Sequence, residues 1–284
     1  MTVKGRLNQG VDLARRQDCV GAIAIFNTVI ESLPNYAKAY YNRGCAHYAM
    51  GEYGIAIEDF SWAIHLTPHY AAAYLNRGNS QRHLGHTDAA LEDFERSIQL
   101  APLSARGYCN RGLLRLDLTD YTGAVRDFDY ALELQPRFSK AYLWRGISWL
   151  RYGKTQTALY DLNRALALNP DCADTYNNRG LVYFYQVDYA RSLADFNQAI
   201  TLNSDFTDAY HNRANLRIEL GDYPGAMGDY CKALQLNPPL PEVYPQTLEQ
   251  LQTILQDYLA PAQVASLNNR GNARSLSLSQ RHAR

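Results

Sequence analysis

The chain has 284 residues, 46% of them hydrophobic and 12% aromatic, which supplies enough apolar surface to fold and excludes an intrinsically disordered protein. Its 28 basic and 28 acidic side chains leave a formal net charge of zero, so there is no global attraction to nucleic acid or to an acidic membrane surface. The five cysteines (Cys19, Cys45, Cys109, Cys172 and Cys231) lie far apart, form no C-x-x-C pair and suggest reduced thiols rather than a zinc site or a disulfide framework.

The N-terminal stretch "MTVKGRLNQGVDLARRQD" lacks the apolar core of a signal peptide. No segment approaches the roughly 20 apolar residues of a membrane span, so no membrane insertion and a cytoplasmic location are expected. From residue 3 onward the chain repeats itself with a period of 34 residues. Asn42, Asn76, Asn110, Asn178 and Asn212 fall in one register, and Trp144 fills the remaining slot. The period defines seven units, 3–36, 37–70, 71–104, 105–138, 139–172, 173–206 and 207–240. Within each, apolar and small residues recur at helical spacing twice, separated by turns such as "GEY", "TDY" and "GDY". Each unit is predicted to be a helical hairpin, with proline ending its second helix. Residues 241–259 then carry Leu248, Leu251, Ile254, Leu255 and Tyr258 as one apolar stripe, expected of a capping helix. Residues 260–284 hold Arg270, Arg274, Arg281 and Arg284 with no acidic residue, and read as a flexible basic tail.

Column by column, the units resemble the tetratricopeptide repeat (TPR). The small residue at position 8 is Gly44, Gly78, Gly112, Gly146, Gly180 and Ala214. Alanine at position 20 is Ala56, Ala90, Ala124, Ala158 and Ala226, with Ser192 as the departure. The aromatic at position 24 is Phe26, Phe60, Phe94, Phe128, Phe196 and Tyr230, with Leu162 once. Proline at position 32 is Pro34, Pro68, Pro102, Pro136, Pro170 and Pro238, with Ser204 once. The "NRG" triplets resemble bacterial, including cyanobacterial, arrays of this family. The resemblance implies an all-α, right-handed superhelical solenoid, with tyrosine at position 4 filling space between units.

A second regularity is one of charge. Position 7 is Arg in six units (Arg43, Arg77, Arg111, Arg145, Arg179, Arg213), and position 23 is Asp in the same six (Asp59, Asp93, Asp127, Asp161, Asp195, Asp229). In the first unit both are lost together, as Gln9 and Ile25. Joint presence and joint loss predict an ion pair, across the hairpin or to a neighbouring unit.

What the resemblance implies about function is binding. First helices of stacked units line a concave groove, which positions 2, 5, 6, 9, 12 and 13 would face. The recurring asparagines (Asn42, Asn76, Asn110, Asn178, Asn212) then form either a ladder gripping an extended peptide backbone or tethers between neighbouring helices; both readings repeat faithfully. Around them the predicted groove offers Tyr41, Asn79, Arg82, Arg106, Leu113, Lys140, Leu143, Ile147, Arg151, Asn177, Leu181, Phe184, His211 and Asn215. Trp144, with Leu143 and Ile147 beside it, trades a polar rung for an aromatic anchor. Nucleotide, zinc-hydrolase and serine-hydrolase signatures are absent, so neither an enzyme activity nor a cofactor or metal is expected. The leading expectation is an adaptor or assembly scaffold that binds a protein or peptide ligand and no nucleic acid. The alternatives are a regulatory subunit of an enzyme encoded elsewhere and a scaffold that self-associates as a weak homo-oligomer.

Overall fold

The computed structural model describes residues 2–236. Fourteen α-helices and no strand occur among them. The chain divides into two compact units, Met1–Leu168 and Asn169–Arg284. In the first, α1 (Val3–Arg15) pairs with α2 (Cys19–Ser32), α3 (Ala37–Ala49) with α4 (Tyr53–Leu66), α5 (Ala71–His83) with α6 (Thr87–Leu100), α7 (Ala105–Asp117) with α8 (Tyr121–Leu134), and α9 (Ser139–Arg151) with α10 (Thr155–Leu168). In the second, α11 (Ala173–Tyr185) pairs with α12 (Tyr189–Leu202), and α13 (Thr207–Glu219) with α14 (Tyr223–Leu236). The expected capping helix (241–259) and basic tail (260–284) lie outside the described residues.

The two helices of a pair meet where a small residue faces a ring. Phe26, Phe60, Phe94, Phe128 and Phe196 are fully buried. A methyl group on Gly112 would sit 2.9 Å from the edge of Phe128, so the glycine sets how closely α7 and α8 approach. Ser192, which replaces the usual alanine, keeps its buried hydroxyl satisfied by donating to the Gly180 carbonyl at 2.8 Å. Proline does not terminate the second helices, contrary to expectation. Like its counterparts, α12 stops two residues before the proline position, although that position is Ser204. The stop is therefore set by the inter-repeat turn, in which Asp205 N donates to Asn203 Oδ1 at 3.1 Å.

Each intra-hairpin turn closes through one left-handed residue after the first helix. Asp120 N reaches back to the Arg115 carbonyl at 2.9 Å and Thr119 N to that of Leu116 at 3.0 Å, the paired bonds of a Schellman motif. Glycine takes the positive φ at Gly51, Gly85, Gly153 and Gly221, but Gln17, Thr119 and Val187 adopt it too, with φ of 66°, 61° and 61°. A β-branched side chain in that region is strained. Because Val187 is also exposed and buries little in return, Val187→Gly should stabilise the protein by about 1 kcal/mol, read as a higher denaturation midpoint.

The expected Arg–Asp pairs form in all six repeats that carry them, each within its own hairpin. The geometry is a fork: Arg77 Nε donates to Asp93 Oδ2 at 2.8 Å while Nη2 donates to Oδ1 at 2.7 Å. The remaining edge of the guanidinium reaches the preceding hairpin. Arg43 Nη1 donates to Asn27 Oδ1 at 2.6 Å, Arg77 Nη1 to Ser61 Oγ at 3.0 Å, Arg145 Nη1 to Asp129 Oδ1 at 2.6 Å, and Arg213 Nη1 to Asn197 Oδ1 at 2.6 Å. One arginine thus ties three helices. The position-4 tyrosines also lie under the guanidinium one turn along their own helix, 5.4–5.8 Å from ring centre to Cζ, and Tyr142 packs against the cluster around Phe128 of the preceding repeat.

Burial works against part of what these pairs gain. Burial pushes the Asp93 and Asp161 carboxyls above their ordinary range despite the guanidinium beside each. Desolvation therefore offsets much of the attraction. Losing one partner is different, because it strands a charge. Asp127, 2% exposed in its side chain, receives both Arg111 and Arg115. Asp127→Ala should cost about 3–5 kcal/mol in chemical denaturation, and an unchanged midpoint would exclude a structural role for the pair.

Candidate functional site

At 100° per residue, positions 2, 6 and 13 of each first helix fall within about 40° of one another. Consecutive first helices pack side by side, α1, α3, α5, α7 and α9 in the first unit and α11 and α13 in the second. Their stripes make one first-helix face per unit, cross-linked at its surface. Arg82 Nε donates to Asp117 Oδ2 at 2.6 Å, from α5 to α7. The Tyr48 hydroxyl and His83 Nε2 lie 3.0 Å apart, from α3 to α5, and the His83 ring stacks on Tyr53 at 4.4 Å.

The asparagine column lies half-exposed on these faces. Asn42 Nδ2 donates to the Lys38 carbonyl at 2.7 Å and Asn178 Nδ2 to that of Asp174 at 2.8 Å, each within its own helix. Asn76 Nδ2 reaches Tyr41 OH at 3.1 Å and Cys45 Sγ at 3.4 Å, and Asn212 Nδ2 reaches Asn177 Oδ1 at 2.9 Å, on the preceding first helix. Asn110 makes no hydrogen bond to another described residue. The carbonyls of Lys38 and Asp174 can only accept, so they fix which end of each amide is nitrogen. The tether and the ladder are thus compatible: at Asn42 and Asn178 the nitrogen is committed inside the fold and Oδ1 is left without a partner among the described residues.

Some predicted groove residues are elsewhere. Leu143, Ile147 and Asn177 are buried, with exposures of 5%, 8% and 5%, and cannot line an open surface. Position 5 lies about 60° from position 2, turned towards packed neighbours, which covers Leu143 and Asn177; position 9 stays within about 20° of position 2, and Ile147 there is covered by its packing. Tyr41 lies between Tyr70 at 4.8 Å and Phe60 at 5.9 Å, His211 meets Tyr230 edge-on at 5.3 Å, and Asn215 accepts a hydrogen bond from the Tyr230 hydroxyl. Asn79, Leu113, Leu181 and Phe184 are half-buried, Leu113 against the cluster around Phe128. Arg106, Lys140 and Arg151 stand exposed, with no ion pair to a described residue.

Trp144 is half-buried and packs against the same cluster, which includes Cys109, Phe128, Leu132 and Ala141. Its indole is therefore part of the first unit's core as well as a member of the stripe. Trp144→Asn should destabilise the protein by about 2 kcal/mol, below the full cost of emptying a buried tryptophan site. An unchanged melting temperature would leave the indole no packing role.

Burial pushes the thiols of Cys45 and Cys109 up to about 11 and about 12, and the Tyr41 phenol well above its ordinary value. Neither thiol is poised as a nucleophile. Among the described residues no group of three or more His, Cys, Asp or Glu is arranged to hold a metal ion, and no helix is long and apolar enough to cross a membrane. Position 11 escapes sequence reasoning altogether. Arg115 and Arg217 there add a second guanidinium to Asp127 and Asp229 at 2.9 and 2.8 Å; its only trace in the sequence is arginine recurring where other repeats vary.

Stacked helical hairpins with a polar stripe on the first helices define an all-α helical-repeat solenoid. Tetratricopeptide repeat models match residues 41–105, 173–206 and 207–239, and a TPR repeat model matches 150–187. Together they span more than half of the chain, which belongs to the TPR family. A TPR protein from Parabacteroides merdae is similar at 21% identity over 88% of this chain and 96% of that one, with a TM-score of 0.68. The Cut9–Hcn1 hetero-tetramer of the APC/C is similar at 17% identity over 88% of this chain and 48% of that one, with a TM-score of 0.75. Pseudomonas aeruginosa PilF is similar at 17% identity over 75% of this chain and 97% of that one, with a TM-score of 0.63. At these identities the likeness is one of fold. No curated protein matches the chain in sequence. TPR arrays are, in general, protein-interaction scaffolds and typically non-catalytic.

Proposed function

We propose that the first-helix face of each unit binds an extended segment of a partner protein. The carrying observation is the orientation of the asparagine amides: at Asn42 and Asn178 a backbone carbonyl ties the nitrogen into the fold and the oxygen is left over. A fixed, unsatisfied acceptor is preorganised for a backbone N–H of a ligand in extended conformation, at little further entropic cost. Asn110 offers its whole amide.

Flanking charges bias the choice of segment. In the first unit Lys38, Arg106, Lys140 and Arg151 are exposed without a described carboxylate partner, which favours a segment bearing Asp or Glu. In the second, Asp174, Asp208 and Glu219 are exposed likewise, which favours Lys or Arg. The part of Trp144 that remains exposed supplies an apolar contact on α9, the first helix that packs beside α7 and its Asn110.

The test uses Asn42→Ala, Asn110→Ala and Asn178→Ala combined, because no bond between helices is lost with these three. Peptides selected on the wild-type protein should bind this variant roughly 10- to 100-fold more weakly at an unchanged melting temperature. Equal affinity would show that the asparagines hold no ligand.

A further inference from the structure

The position-11 arginines define a small site twice over. In the fourth repeat Arg115 Nη1 donates to the Gly123 carbonyl at 3.3 Å and to Asp127 Oδ2 at 2.9 Å. In the seventh, Arg217 Nη1 donates to the Gly225 carbonyl at 2.9 Å and to Asp229 Oδ2 at 2.8 Å. Each guanidinium sits between the carbonyl of position 19 and the carboxylate of position 23. That carboxylate already holds the position-7 arginine, so one aspartate accommodates two guanidinium groups.

In the third repeat the same positions are Gln81, Ala89 and Asp93. Here no position-11 arginine fills the site, and a cleft of 420 Å³ is lined by these three residues together with, among others, Arg77, Glu92, Glu95 and Arg96. Gln81 Oε1 is buried with no hydrogen-bond partner among the described residues. Its amide nitrogen is the end that interacts with Asp93, which leaves the oxygen as an unused acceptor. Alanine in place of glycine does not close the site. A methyl group at position 19 points towards residue 16 of the repeat: on Gly123 it would meet Asp120 Oδ2 at 2.0 Å, and on Gly225 Asp222 Oδ2 at 2.1 Å. In the third repeat residue 16 is His86, whose side chain makes no capping bond. The position-19 carbonyl therefore remains available to a donor.

We propose that this cleft is a guanidinium-binding site, which receives an arginine side chain of a partner polypeptide where Arg115 and Arg217 serve their own repeats. The Asp93 carboxylate and the Ala89 carbonyl are the counterparts of the two acceptors that Arg115 and Arg217 bridge, and Gln81, whose Oε1 lacks a partner, lines the same cleft. A planar fork of five N–H donors suits such a set, and a compact ammonium does not reach all three. Glu92, Asp93 and Glu95 outnumber Arg77 and Arg96 in the lining, which keeps the cleft hospitable to a further cation. The site uses none of positions 2, 6 and 13, so it stands independently of the asparagine column.

The full chain, isotope-labelled for NMR, is titrated with N-acetyl-arginine amide and with the neutral, isosteric N-acetyl-citrulline amide. The arginine probe should shift the Gln81 side-chain and Ala89 backbone resonances saturably, and citrulline should bind at least roughly tenfold more weakly. Gln81→Arg should fill the cleft from within, abolish the response and raise the melting temperature. No saturable shift, equal binding of citrulline, or undiminished binding by a folded Gln81→Arg variant would each overturn the proposal. If that variant does not fold, the comparison of the two probes on the wild type decides alone. Replacing Arg270, Arg274, Arg281 and Arg284 with Gln in the full chain should leave the affinity for the arginine probe unchanged; a tenfold gain would mean that the chain's own tail is the occupant, and would overturn assignment to a partner.

Discussion

The constraint on which most of these repeats depend is a guanidinium forked onto one aspartate, which at Arg43, Arg77, Arg145 and Arg213 also reaches the preceding hairpin. A hairpin of two short helices buries too little apolar surface to stand alone, so each repeat depends on its neighbours. Aromatic rings at position 24 supply the bulk of the burial, but rings and small residues alone would tolerate sliding. The arginine removes that freedom, because a fork on one aspartate and a third bond to the preceding hairpin can be satisfied in one register only. Position-4 tyrosine completes the arrangement by covering the flat face of the cation.

With the register fixed by side chains at positions 4, 7 and 23, the first-helix face is free to differ between repeats. It does so in both units, carrying lysine or arginine at position 2 of α3, α7 and α9 and aspartate at position 2 of α11 and α13. Structure-bearing and ligand-facing positions are thus separated on the same helix. Trp144 is the exception that belongs to both sets, a stripe residue whose indole also seals the cluster around Phe128.

Much of this was legible in the sequence, for a physical reason: a repeat displays each constraint many times. Glycine opposite phenylalanine and arginine with aspartate recur in register, and their joint loss as Gln9 and Ile25 identifies the pair as surely as its presence does. Less legible was anything decided by a rotation of some tens of degrees about a helix. Leu143 lies next to Trp144 in sequence but turns inward, because a step of one residue rotates a helical side chain by about 100°. Asparagine hid its answer differently. Its amide has two ends, and only geometry reveals that one is spoken for.

The third bond of the arginine is not uniform within the first unit. Arg43, Arg77 and Arg145 each hydrogen-bond the hairpin before them, whereas Arg111 only feels Glu95 through space. The step from the third to the fourth repeat is nevertheless pinned on its opposite side by Arg82 and Asp117. The side-chain bonds across that step are therefore one-sided: they join α5 to α7 along the first-helix edge, while Arg111 spends its hydrogen bonds on Asp127 within its own hairpin.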